Sequence, residues 1–222
     1  SLTNIGLIHY DKGELDIALD YYDKSLLIAK ELDNKIGIMA AQINMGFAYY
    51  VKGYYEKTLE CFNISLSIAE KNSYKDDIGF SLFCIGFVKL GMGSYEEAID
   101  SANNSLRILE EIDEKTGRVH SLIVLGIAYY DKAEYNKALK YLEESHNIQE
   151  ETGYGGAEPE TSVYLYLTYR ELGIRYDVKK ISSMISESEY KKMYLELSIS
   201  LYRLLDDSTY LERAYNQVQE NK

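Results

Sequence analysis

Three histidines (His9, His120, His146) and two cysteines (Cys61, Cys84) are the residues of this chain best suited to hold a metal or attack a substrate. A metal site needs donors at short spacings, such as His-x3-His or Cys-x2-Cys, so that several converge on one ion. Neither spacing occurs, and the histidines fall at unrelated helix positions. A covalent catalyst needs a nucleophile, a base and a group that orients the base, and nothing in the chain suggests that trio. Gly153-Tyr154-Gly155-Gly156 lacks the Lys-Ser/Thr pair and the preceding strand of a phosphate-binding loop, so it reads as a turn. Glu143-Glu144 and Glu150-Glu151 read as solvated helix faces. Asn63-Ile64-Ser65 and Asn103-Asn104-Ser105 match the glycosylation acceptor pattern but fall inside expected helices. The expectation is a chain that is not an enzyme and has no metal and no cofactor.

Composition narrows the partners. Over 222 residues, 24 Lys and Arg stand against 36 Asp and Glu, a net charge of −12. Nucleic acid and anionic membrane both reward clustered positive charge, so neither is expected. No run approaches the roughly 18 apolar residues that a bilayer span needs. Two cysteines are too few for a disulfide framework, and free thiols suit a reducing, cytoplasmic setting. The opening at Ser1 and the ending Gln219-Glu220-Asn221-Lys222 suggest a piece of a larger protein.

The elements that position these residues come from a repeat. Gly6, Gly46, Gly86 and Gly126 lie forty apart, as do Ser25, Ser65, Ser105 and Ser145, and Ile28, Ile68, Ile108 and Ile148. Leu15, Tyr55, Tyr95 and Tyr135 keep a fourth register, and Ala18, Thr58, Ala98 and Ala138 a fifth. Each unit reads as two helices. From Asp33 or Asn34, which can cap it, one helix runs to about Val51; Lys52-Gly53 breaks it; a second runs from about Tyr55 to Lys71. In the second, Leu59, Phe62, Leu66 and Ala69 recur at helical spacing. Gly13, Gly53 and Gly93 share the turn, where a positive φ ends a helix, and Ala133 replaces them in the fourth unit. The glycine at Gly46 costs roughly 1 kcal/mol inside a helix. Close approach of the second helix, through small residues such as Ala18, Ala98 and Ala138, would offset it.

The pattern Met45-Gly46-x-x-Tyr49, Gly53, Tyr55, Thr58, Phe62, Ser65 resembles a tetratricopeptide repeat. Leu125-Gly126-x-x-Tyr129, Tyr135, Ala138 and Ser145 repeat it, and the third unit keeps it with Lys89 and Ala102 as departures. The likeness covers about residues 1–150. The family's usual unit is about 34 residues with a closing proline; these units are longer and lack the proline, like those of G-protein signalling modulators and of bacterial signalling proteins. Beyond the Gly153–Gly156 turn, Pro159 suits the first turn of a helix. A fifth unit fits Thr161–Leu172, Gly173 and about Tyr176–Ser186, with Tyr166 in the glycine register, and a sixth fits about Ser188–Leu205 and Ser208–Gln219. The resemblance implies an all-α, right-handed superhelical solenoid of five to six antiparallel helix pairs. The units are about 1–32, 33–72, 73–112, 113–153, 157–187 and 188–222, in one domain.

It also implies a concave groove lined by the first helix of each pair. Carried over by position, the groove stripe is Leu7 and Tyr10, then Ile43, Phe47 and Tyr50 with Asn44 at the rim. It continues with Phe83, Phe87 and Leu90, then Ile123, Ile127 and Tyr130, and ends at Val163 and Leu167. Family grooves that clamp a carboxylate use Lys, Arg and Asn; here only Asn44 fits. An apolar stripe suits an apolar or amphipathic peptide or helix of a partner protein instead. The same stripe also fits inter-repeat core, or a groove filled by the chain's own segments or by a second copy. Two functions follow: a protein-interaction scaffold, or a regulatory sensor module controlling an attached kinase or nucleotide cyclase.

Overall fold

The computed structural model describes residues 1–155, 158–177, 199–203, 212 and 216, with the side chains of 158–160 left aside. Among these residues there is helix and no strand. The helices are α1 (Leu2–Asp11), α2 (Leu15–Glu31), α3 (Lys35–Val51), α4 (Tyr55–Asn72), α5 (Lys75–Gly91), α6 (Tyr95–Glu111), α7 (Lys115–Asp131), α8 (Tyr135–Thr152) and α9 (Glu158–Glu171). Residues 199–203 are also helical. The expected second helix of the fifth unit and most of the sixth lie outside the described residues.

Two kinds of turn, both set by a left-handed residue, alternate along the chain. Within pairs the residue is Gly13 (φ 79°), Gly53 (74°), Gly93 (73°) and Ala133 (58°). Between pairs it is Asp33 (50°), Ser73 (57°), Asp113 (54°) and Gly153 (69°). A Cβ makes this conformation unfavourable, so the fourth intra-pair turn carries a strain that the glycine turns avoid. Asn34 caps α3, its side-chain oxygen accepting the Gly37 N–H at 3.0 Å. The Glu114 carboxylate accepts the Gly117 N–H in the same register at the start of α7.

Contacts group the chain into two units, Ser1–Gly117 and Arg118–Lys222. In the first, α1 packs on α2, α3 on both α2 and α4, and α5 on both α4 and α6. In the second, α8 packs on α9, and a core of Ala138, Leu142, Val163, Leu165 and Leu167 takes in Leu201.

The repeated glycine and serine have separate tasks. A Cβ on Gly6 would lie 2.5 Å from the Tyr22 ring, on Gly46 2.3 Å from the Phe62 ring, and on Gly126 2.5 Å from Leu142. The glycine thus makes room for a large side chain of the second helix, not for the small residues expected to face it. Pair three is the exception. There Ala102 replaces the large residue, and the α6 backbone itself closes in, the Ala98 carbonyl 3.2 Å from a Gly86 Cβ. The serine is a buried tie between helices. Ser105 Oγ donates to the Gly79 carbonyl at 2.6 Å. Ser65 meets Ser81 at 3.1 Å, and Ser145 meets Thr161 at 3.3 Å, each across to the next pair. A buried hydroxyl needs such a partner, which explains why this register keeps a small polar residue.

Candidate interaction face

In the first unit the stripe begins on residues that packing leaves partly uncovered. Leu7 on α1 is 40% exposed, and Tyr10, Ile43, Asn44 and Phe47 are half-buried. On α5, Phe83, Phe87 and Leu90 are half-buried too. The rings form a connected strip. Phe83 and Phe87 lie 6.2 Å apart, and Phe87 rests on Tyr50 of α3 at 4.9 Å. Phe47 meets the buried Phe62 edge-on at 5.3 Å. Tyr50 itself is buried between α3 and α5, so it supports the strip from beneath.

The strip runs further toward the helix starts than the sequence reading placed it, by one turn on α5 and two on α3. Phe80 is 36% exposed and 5.7 Å from Phe83, and Ile36 is 66% exposed. Both continue the helical three- and four-residue steps back from Phe83 and Ile43, through Ala40 in α3. The signal was the register Ala40, Phe80, His120, one turn ahead of the stripe.

No lysine of α3 or α5 stands unneutralised. Lys35 pairs with Asp33 at 2.5 Å, Lys75 with Glu111 at 3.1 Å, and Lys89 with Glu97 at 2.6 Å. The first turn of α5 adds Asp76 and Asp77, whose placement suits the helix N-terminus. Burial, with Asp76 adding to it, pushes the Asp77 carboxyl above the usual range.

In the second unit three of the stripe residues are core. Val163 and Leu167 are fully buried, and Ile123 nearly so. Val163 and Leu167 belong to the α8–α9 cluster with Leu201. Ile127 and Tyr130 stay half-buried, with Tyr130 ring-to-ring with Tyr164 at 5.7 Å. Burial, then the Glu171 charge, pushes the Tyr130 phenol up. At the Phe80 register stands His120, hydrogen-bonded to the Tyr154 hydroxyl at 3.0 Å. Val163, Leu167 and Ile123 are thus packing residues, while Ile127 and Tyr130 keep partial exposure.

Among the described residues no group of three or more His, Cys, Asp or Glu could hold a metal ion. Both cysteines are free and buried; burial pushes Cys61 to about 11 and Cys84 well up. No described helix is long and apolar enough to cross a membrane.

Two family models, each described as a tetratricopeptide repeat, match residues 77–151 and 1–32. The chain is a tetratricopeptide repeat protein. A search of curated proteins finds no match. Among solved structures, this tetratricopeptide repeat chain is similar to the apo form of RapI, at 16% identity and a TM-score of 0.78, over 99% of this chain and 82% of that one. A Rap protein in complex with competence and sporulation factor is similar at 16% identity and a TM-score of 0.76, over 99% of this chain and 63% of its own. NprR in complex with its cognate peptide NprX is similar at 21% identity and a TM-score of 0.70, over 98% and 62%. The chain therefore spans about three-fifths of the last two proteins. At these identities the likeness is one of fold: a helical tetratricopeptide solenoid.

Proposed function

We propose that this chain is a non-catalytic protein-interaction scaffold that holds an apolar or amphipathic segment of a partner protein against the first helices of its first unit. The observation that carries this reading is the strip of Ile36, Phe80, Phe83 and Phe87, partly open on a chain of net charge −12 with no neighbouring lysine unneutralised. An exposed apolar strip on such a polar chain is a liability unless something covers it. Aromatic side chains in a cleft are also the usual anchors of an interface. The similar fold of NprR with its cognate peptide, and of a Rap protein with competence and sporulation factor, supports a peptide as the occupant. A cytoplasmic setting belongs to the same reading, with Cys61 and Cys84 as free thiols.

Selection of binders from a random peptide library tests it. Peptides rich in Leu, Ile and Phe should emerge, and Phe80→Asp should abolish their binding by placing a carboxylate in the apolar contact. Charged, apolar-poor binders, or binding indifferent to Phe80→Asp, would contradict the reading.

A further inference from the structure

The strip carries one charge on its own line. On α5, Asp76, Phe80, Phe83, Phe87 and Leu90 follow one another at four- and three-residue steps, which puts them on one face of the helix. Asp76 is exposed, and Asp77 beside it is half-buried. Lys75 does not neutralise them, because its ammonium pairs with Glu111 of α6 at 3.1 Å. The neighbouring first helices do not repeat this pair. Its register-mates are Ile36-Gly37 in α3 and Thr116-Gly117 in α7, and neither helix has an acid in its first turn. Helix formation accounts for one of the two aspartates. α5 lacks the side-chain cap that Asn34 gives α3, and a carboxylate in the first turn offsets that lack. Asp77 meets this need, half-buried in the turn. Asp76, on the apolar line, is left without a structural task.

We infer that the segment held on the strip is cationic at one end: an amphipathic helix of a partner protein whose apolar residues lie on Phe80, Phe83 and Phe87, and whose Lys or Arg, one turn beyond them, pairs with Asp76. This rests on the reading of the strip as a binding face and adds the charge of its occupant. Charge complementarity carries it. A segment that covers Phe80 also covers the turn before it, and so takes water from Asp76. An uncompensated carboxylate there would oppose docking, whereas a cation at that place turns the cost into an attraction. An acidic segment would meet Asp76, Asp77 and a chain of net charge −12 at once, so the same feature rejects wrong partners.

The test uses peptides selected from a random library on the wild-type chain and sorts out those whose binding Phe80→Asp abolishes. These strip binders should carry a Lys or Arg one turn from their apolar anchors. In the most enriched of them, replacing that residue by Gln should weaken binding about fivefold at low salt, and added salt should narrow the difference. Asp76→Asn should cause the same loss, and the Gln peptide should then bind Asp76→Asn and wild type alike. Strip binders with no basic preference would overturn the inference and leave the binding face standing. So would a Lys or Arg whose advantage survives Asp76→Asn, since the net charge of the chain would then be its source. If Phe80→Asp abolishes no selected peptide, the binding face itself fails and this inference with it.

Discussion

Phe87 and Leu167 occupy the same register, two repeats apart, with different environments, and Ile127 between them is half-buried like Phe87. Phe87 is a half-buried ring that leans on Tyr50 and leaves one side open. Leu167 is fully enclosed by the α8–α9 cluster and Leu201. Ile43 and Phe83 against Ile123 and Val163 show the same contrast one turn earlier. A forty-residue register therefore fixes where a side chain sits on its helix and leaves open whether it is covered. Side-chain type does not decide it, because isoleucine is half-buried at Ile43 and buried at Ile123.

Truncation should separate the two units, the largest effect falling in the second. Leu167→Ala removes a fully buried side chain and should destabilise by about 2–5 kcal/mol, read by denaturant unfolding. Phe87→Ala should cost less, about 1–2 kcal/mol, because the ring is already partly exposed. Equal losses would erase the contrast.

The turns sharpen the same comparison with a smaller effect of opposite sign. Ala133 stands at φ 58° in the second unit where the first unit has only glycine. Ala133→Gly should raise stability by about 0.5 kcal/mol, the relief of left-handed strain outweighing the added chain entropy. A loss of stability would show that the fourth turn carries no strain. Smallest of all, Ile36→Ser on the open strip should move unfolding by no more than about 0.5 kcal/mol. A larger cost would mean that Ile36 packs against something.

Most of the fold was legible because the repeat restates it. The span Lys35–Val51, the break at Gly53 and the cap at Asn34 follow from local chemistry repeated at forty residues. The role of the glycine was read less well. That Tyr22, Phe62 or Leu142 fills the space over it depends on rotamers, which spacing does not encode. The candidate face was half legible. Register named Phe83 and Phe87, but the closure of Val163 and Leu167 comes from tertiary neighbours such as Leu201, distant in sequence. Phe80 and Ile36 were missed because the stripe was started one turn too late on α5 and two turns too late on α3.

The central claim is that the first unit binds through the register of Phe87, which at Leu167 has become core. Its most direct test measures the affinity of one library-selected peptide, together with the melting temperature, for Phe87→Ala and Leu167→Ala side by side. Phe87→Ala should weaken the peptide by about 30-fold, the cost of losing an interface anchor, while melting close to wild type. Leu167→Ala should melt well below wild type and, at temperatures where it stays folded, bind the peptide within about threefold of it. A Phe87→Ala chain that melts as low as Leu167→Ala yet binds the peptide like wild type would contradict the account.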